Sequence, residues 1–313
     1  MAATRDAFGH ALCELANKDS RYYIVDCDIS KSMKTVDFAR QFPNQHVNVG
    51  IAEQNAAALC AGLARMGKIP FLSTYAVFAS MRALEQLRTS VCYPNLNVKI
   101  AAGHGGLTPS NDGATHQAIE DVAIMRALPN MTVVMAADYN SARALTTLAA
   151  KHNGPVYLRY TRDSFPDFYG TDEVFELGKG KLLQSGSDVT VVSFGEMLHE
   201  TLAACDILKS EGISAELIDL HTVKPLDTAL LGASIIKTRA CVTVEDHSII
   251  GGLGGAVAEF MAENGLGTLK RIGLRDCFGQ SGKYHELLQH YGMDRQSIAA
   301  AARDLVWDKG ALL

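Results

Sequence analysis

The sequence lacks the features that mark several large classes of protein. Its net charge of −5 leaves no basic surplus for binding nucleic acid or an anionic membrane. No apolar run reaches the length of a membrane span, and residues 1–10 contain no signal-peptide core. The seven cysteines form no CxxC pair and no zinc-ligand spacing. We therefore expect a cytoplasmic protein with reduced thiols and no metal site of its own, which binds neither nucleic acid nor membrane.

The length and the hydrophobic pattern indicate two α/β domains with mainly parallel sheets. The chain has 313 residues, and its hydrophobic content of 48% provides for an ample core. Val- and Ile-rich strand segments alternate with helical segments in both halves, as in parallel sheets covered on both faces. A stretch rich in Pro, Gly and charge interrupts this pattern. It predicts a first domain at 1–165, a linker at 166–187 and a second domain at 188–313.

The expected elements follow from the same periodicity. In the first domain we expect strands at 22–25, 69–73, 98–102, 132–136 and 156–160, and helices at 5–16, 53–64, 78–91, 117–126 and 141–151. In the second domain we expect strands at 189–194, 215–220, 242–245 and 269–273, and helices at 197–209 and 256–263.

The most informative stretch is HGGLTPSNDGATHQ, residues 104–117. It places His104, Asp112 and His116 in a loop between a strand-like and a helix-like segment. Titratable side chains on a loop that a strand and a helix support are typical of catalytic sites. The alternative is a polar surface turn, in which the histidines have no chemical role.

Two further segments carry candidate side chains. In GIAEQN, Glu53 begins a helix of small residues, where it either shares a proton with a ligand nitrogen or only complements the helix dipole. In STYAVF, Tyr75 and Phe78 are three residues apart, which suits either a ligand platform or core packing. Arg82 and Arg88, which follow, are expected to form a solvated or interface stripe.

Read together, these segments resemble the second half of transketolase, a thiamine-diphosphate enzyme. That half comprises a pyrimidine-binding domain and the transketolase C-terminal domain, which ELIDLHTVKPLD and VEDHSIIGGLGGAVAE also resemble. The resemblance implies that Glu53 is the cofactor glutamate and that Tyr75 and Phe78 pack the aminopyrimidine ring. The family's third aromatic position falls on Met81, and its usual proline in the substrate loop is Ala114.

The resemblance also implies the remaining site residues. His104, Asp112 and His116 would act on the substrate, and Asp28 in DCDISKS would be the acid near the cofactor. The substrate phosphate would be bound by a set that includes two arginines, a histidine and a serine. These residues are Arg5, Arg162, His104 and Ser32, with Ser30 as the alternative serine.

One motif of the superfamily is missing. The GDG sequence that holds Mg²⁺ and the diphosphate occurs nowhere in this chain. The resemblance therefore implies the small subunit of a split transketolase. Thiamine diphosphate and Mg²⁺ would be held mainly by a partner subunit with the diphosphate-binding domain, in an α2β2 heterotetramer.

The expected activity is transfer of a two-carbon ketol unit from a ketose phosphate, or a similar acidic ketose, to an aldose. The alternatives are the β-subunit of a 2-oxoacid dehydrogenase, an enzyme like deoxyxylulose-phosphate synthase, and a non-catalytic relic of the fold. Arg5, His104 and Arg162 argue against the dehydrogenase, because it has no sugar-phosphate ligand. The identity of the sugar, phosphorylated or sulfonated, does not follow from the sequence.

Overall fold

Two sheets, each with helices packed on it, form the core of the chain. The computed structural model describes the backbone of residues 1–311 and the side chains of residues 1–307. The prediction of two α/β domains with mainly parallel sheets is confirmed. Within residues 1–311, no helix is both long enough and apolar enough to cross a membrane.

The first domain is built on a seven-stranded sheet with the order β12-β6-β7-β5-β4-β2-β3. Its strands from the first half of the chain are β2 Tyr22–Asp26, β3 His46–Asn48, β4 Ile69–Tyr75, β5 Lys99–Gly103, β6 Thr132–Met135 and β7 Val156–Arg159. Two short strands, β1 Ala2–Ala3 and β8 Ser164–Phe165, pair separately. The helices are α1 Thr4–Ala16, α2 Ser30–Met33, α3 Val36–Gln41, α4 Glu53–Arg65, α5 Leu84–Gln86, α6 Asp121–Ala127 and α7 Tyr139–Lys151.

The second domain has a five-stranded sheet with the order β14-β13-β10-β11-β9. Its strands are β9 Lys181–Gln184, β10 Val189–Ser193, β11 Ala215–Asp219, β13 Ala240–Ser248 and β14 Thr268–Leu274. Its helices are α8 Met197–Ser210, α9 Thr228–Thr238, α10 Leu253–Asn264, α11 Tyr284–His290 and α12 Arg295–Ala311. All five residues of β10 and of β11 are buried, as expected for parallel strands with both faces covered.

One strand links the two domains. β12, Thr222–Lys224, follows the second-domain strand β11 but pairs antiparallel with β6 of the first-domain sheet. The seven-stranded sheet is therefore completed from the second half of the chain, and the two domains share backbone hydrogen bonds.

Two expected helices differ from the structure. The helix expected at 117–126 begins only at Asp121, because the backbone of Ala118 pairs with the 104–117 loop at Gly105 and Gly106. The helix expected at 78–91 is divided into π-helical turns at Phe78–Arg82 and Leu87–Cys92, with α5 between them. The Ser80 hydroxyl donates to the carbonyl of Ala76 at 2.8 Å in this segment, a bond that competes with regular helix geometry.

Candidate active site

The candidate residues follow the carboxyl ends of five adjacent strands. In the order β7-β5-β4-β2-β3, these strands lead to Arg162, His104, Tyr75, Asp28 and Glu53. The carboxyl edge of a parallel sheet is where open α/β folds place their ligands. The sheet therefore brings to one edge residues that lie as far apart as 28 and 162 in the sequence.

Glu53 is the first residue of α4 and is 2% exposed. Arg82 Nη1 donates to both of its carboxylate oxygens at 2.8 Å. The guanidinium carbon of Arg82 also lies 4.2 Å from the centroid of the Phe78 ring. Arg82 is 45% exposed, in keeping with the expected solvated or interface stripe, but its side chain also neutralises the buried carboxylate and covers an aromatic face. Arg88 is exposed, as expected.

Tyr75 and Phe78 form an aromatic cluster with both histidines of the loop. The two aromatic ring centroids are 5.9 Å apart. His104 stacks on Tyr75 with 4.0 Å between ring centroids, and His116 lies edge-on to Tyr75 at 5.9 Å and to Phe78 at 5.8 Å. Tyr75 ends strand β4, so the two aromatic residues do not share one helical face as their spacing suggested. They still converge on one pocket wall.

His104 has an unusual environment for an imidazole. Its backbone lies in the left-handed region, with φ of 63°, and the residue is 2% exposed. Nδ1 is buried without a hydrogen-bond partner. Burial, followed by the positive charges of Arg5 and Arg162 and by His116, lowers the pKa of His104 to about 3. The imidazole is therefore neutral at neutral pH and has a free nitrogen to accept a proton or a hydrogen bond.

The two arginines converge near His104. Arg5 donates from Nη1 to the backbone oxygen of Ser32 at 3.0 Å, and its Nε is buried without a partner. Burial lowers the pKa of Arg5, and the charge of Arg162 lowers it further. Arg162 Nη1 is 3.1 Å from Asp112 Oδ2 and donates to the carbonyl of Pro109. Two guanidinium groups with unused donors form an electropositive pocket that suits an anion.

A cavity of about 430 Å³ opens at these arginines. Its walls come from both domains. They are formed by Arg5, Ser110, Asn111, Arg162, Asp163, Lys283, Tyr284 and His285. The sequence did not single out the second-domain residues Lys283 and His285, because nothing local to YHELLQH indicates that it faces a loop some 170 residues earlier.

The remaining candidates lie at the margin of the cluster. Asp28 is exposed, has a φ of 65° and accepts from Asn48 Nδ2 at 3.1 Å. Met81 is 49% exposed. Among the residues with described side chains, no group of three or more His, Cys, Asp or Glu could hold a metal ion.

The fold defines a two-domain α/β protein whose candidate site lies at the carboxyl edge of the first-domain sheet. Residues 1–167 match the pyrimidine-binding domain of transketolase, and residues 178–298 match the transketolase C-terminal domain. The chain belongs to the transketolase family.

Relatives of nearly the same length are subunits of split transketolases. The chain is 41% identical, over 96% of its length and 94% of the relative's, to a 6-deoxy-6-sulfo-D-fructose transketolase subunit of Clostridium sp.. It is 37% identical, over 98% of both chains, to one subunit of the apulose-4-phosphate transketolase of Phocaeicola vulgatus. It is also similar to the solved structure of a split-gene transketolase, an inactive β4 tetramer, with 46% identity, a TM-score of 0.90 and coverage of 97% and 98%.

Proposed function

We propose that this chain is the small subunit of a two-subunit transketolase that transfers a two-carbon ketol unit from an acidic ketose to an aldose. The observation that carries the proposal is the convergence at one sheet edge of a buried acid, an aromatic wall, two histidines and two arginines. They are Glu53, Tyr75, Phe78, His104, His116, Arg5 and Arg162. The similarity to split transketolase subunits supports the same conclusion.

The residues present fit the pyrimidine half of thiamine diphosphate, the cofactor that the family implies. The buried carboxyl group of Glu53 can share a proton with a ring nitrogen, and Tyr75 and Phe78 offer an apolar wall for the ring. When bound, the cofactor supplies a nucleophilic carbon that protein side chains lack. Arg82 contacts both oxygens of Glu53, and each oxygen keeps a second lone pair with which it can share a proton with the ring nitrogen.

The loop residues suit the substrate's hydroxyl groups. Neutral His104 can accept a hydrogen bond from a ketose hydroxyl, and His116, edge-on to the same Tyr75 ring, can exchange a proton with the substrate. Asp112 can accept a hydrogen bond from a hydroxyl group once its contact with Arg162 loosens. These roles make His104, Asp112 and His116 the catalytic residues, with Glu53 at the cofactor.

The acidic end of the substrate is assigned to the cavity between the domains. Arg5 and Arg162 supply the guanidinium groups, and we assign Ser32 to the same anion because its backbone carbonyl accepts from Arg5. A phosphate and a sulfonate both match this geometry, because each presents several oxygens to a bidentate donor. One similar protein is named for a phosphorylated sugar and another for a sulfonated one.

We assign the diphosphate and Mg²⁺ to a partner subunit, because the chain has no GDG segment. The active form is then an α2β2 heterotetramer with two equivalent sites at subunit interfaces. The inactive β4 tetramer of a similar protein supports this assignment. Light scattering of the mixed subunits should give a mass twice the sum of the two chains. A fully active one-to-one heterodimer would refute the arrangement.

The seven cysteines are all free, in keeping with the cytoplasmic location that we also assign.

A substrate panel tests the activity. The chain is mixed with a subunit that carries the diphosphate-binding domain, and phosphorylated, sulfonated and neutral ketoses are supplied with an aldose acceptor. We expect ketol transfer from the acidic ketoses only. Condensation of pyruvate with glyceraldehyde phosphate, or oxidation of a 2-oxoacid, without any ketol transfer would replace the proposal with one of the alternatives.

A further inference from the structure

We infer that Asp246, in the second domain, is a positioning residue that holds the loop carrying His104 in its active geometry through the amide of Leu107. Both carboxylate oxygens of Asp246 accept from the backbone N–H of Leu107, at 3.0 and 2.9 Å. Asp246 is fully buried. The inference rests on the proposed function, because it matters only if the loop acts in catalysis.

The two glycines after His104 allow this contact. A Cβ on Gly106 would lie 2.2 Å from Asp246 Oδ2, and the backbone there has a φ of 61°. A Cβ on Gly105 would lie 2.2 Å from Nε of Arg159, a side chain that is 3% exposed and has little room to move. Only glycine lets the loop backbone lie directly against these two charged groups.

Arg159 connects Asp246 to Ala118, the residue that follows the 104–117 loop. Its Nη2 donates to the carbonyl of Ala118 at 2.8 Å and to the backbone carbonyl of Asp246 at 2.9 Å. Gly106 N–H donates to Ala118 at 2.9 Å. The loop is therefore fastened to the second domain near both of its ends. The left-handed backbone of His104 needs such support, since non-glycine residues rarely adopt that conformation without it.

A proton on Glu196 completes the arrangement. Glu196 and Asp246 share a side-chain hydrogen bond, which two carboxyl groups can form only when one of them is protonated. Burial, followed by the charge of Asp246, raises the pKa of Glu196 to about 8, so Glu196 is the donor at neutral pH. The pair also faces Arg159, and Tyr284 donates to Asp246 Oδ2 at 3.2 Å.

The sign of the pH dependence follows from this proton. The pKa of Glu196 is raised from 4.5 on folding. The contribution of protonated Glu196 to the stability of the fold is therefore full at low pH, and it is lost as the pH rises through about 8. Ionised Glu196 then repels Asp246 and loosens the contact with Leu107. Four further titratable groups interact with Arg159: Asp121, Tyr157, His247 and Glu245. Burial lowers the pKa of His247 to about 4 and raises that of Glu245 to about 7.

The first test needs no catalytic activity. Hydrogen–deuterium exchange at the Leu107 amide is measured in the full chain for the wild type, Asp246→Asn and Asp219→Asn. Asp219 is a buried carboxylate of the same domain that accepts from Tyr169 and does not contact the loop. Exchange should accelerate in Asp246→Asn alone. Unchanged protection in that variant would overturn the inference whatever the enzyme does.

The second test measures turnover of the reconstituted enzyme, and wild-type activity must be present first. Asp246→Asn and Gly106→Ala should each lower kcat on the order of 10–100-fold with little change in KM, because the loop residues are misplaced. The double variant should be no worse than either single one, because both break the same contact. Glu196→Gln should remove the loss of activity above pH 8, whereas Glu245→Gln should retain it.

The outcomes separate the two ideas. An inactive wild-type mixture would contradict the proposed function and leave the exchange test to decide on the loop contact. An active wild type with full kcat in Asp246→Asn and Gly106→Ala would overturn the inference and leave the function standing. Additive losses of kcat in the double variant would also count against the inference. So would an unchanged loss of activity above pH 8 in Glu196→Gln.

Discussion

Removing Arg162 or Arg5 should weaken binding of the acidic ketose without removing catalysis. Both groups line the cavity to which we assign the acidic end of the substrate, the end that does not react. Interactions that are equal in the ground state and the transition state appear in KM. A charge-assisted hydrogen bond contributes about 1.5–3 kcal/mol, or about ten- to a hundred-fold in affinity.

The structure predicts different magnitudes for the two arginines. The Arg162 side chain is 34% exposed and already contacts Asp112, so Arg162→Ala should raise KM by about tenfold, the low end of that range. Arg5 is half-buried and has an unpaired Nε, so Arg5→Ala should approach a hundredfold. Arg143→Ala is the matched control, because Arg143 is paired with Glu14 on an exposed face of the same domain.

The assay compares initial rates of the reconstituted enzyme on a phosphorylated ketose and on its unphosphorylated counterpart. KM should rise for the phosphorylated donor only. An unchanged KM in both arginine variants would mean that the acidic group binds elsewhere. A fall in kcat at constant KM would make these arginines part of the chemical step instead.

Three further predictions concern the cofactor side. Glu53→Gln should nearly abolish turnover while assembly survives, because we assign the carboxylate to the cofactor and not to the subunit contact. Turnover assays and light scattering measure the two effects, and an active variant would remove Glu53 from the mechanism. Arg82→Ala should lower the free energy of unfolding by about 1–3 kcal/mol, because it leaves the buried Glu53 carboxylate unpaired. Denaturant titration tests this, and the loss should shrink in the Arg82→Ala/Glu53→Gln double variant; an equal loss there would contradict the pairing argument. The chain alone should bind thiamine diphosphate weakly or not at all, because the diphosphate and Mg²⁺ are uncontacted; calorimetry showing micromolar binding would overturn the split-site assignment.

Local patterns in the sequence predicted the sheet and much of the cluster. The strand before His104 and the small-residue helix after Glu53 are recognisable from a few neighbouring residues. Both residues lie at one edge because the strands before them, β5 and β3, are parallel strands of one sheet. The backbone contacts of the site could not be predicted from local patterns, because Leu107 and Asp246 are 139 residues apart in the sequence.

Arg82 shows what periodicity leaves out. An α-helical wheel over residues 78–91 puts Arg82 on an outer stripe, and its side chain is 45% exposed. Its contact with Glu53, 29 residues earlier, has no signal in the local pattern. Strand β12 was missed for another reason: three residues carry too little pattern to reveal a pairing with β6, some 90 residues earlier.

The most direct test of the account is ketol transfer by the two halves of the enzyme, measured apart and mixed. This chain and a subunit with the diphosphate-binding domain are purified separately and assayed with thiamine diphosphate, Mg²⁺, an acidic ketose and an aldose. The account predicts no transfer by either subunit alone, transfer by the mixture, and none by a mixture that contains Glu53→Gln. Transfer by this chain alone, or by the mixture with Glu53→Gln, would contradict it.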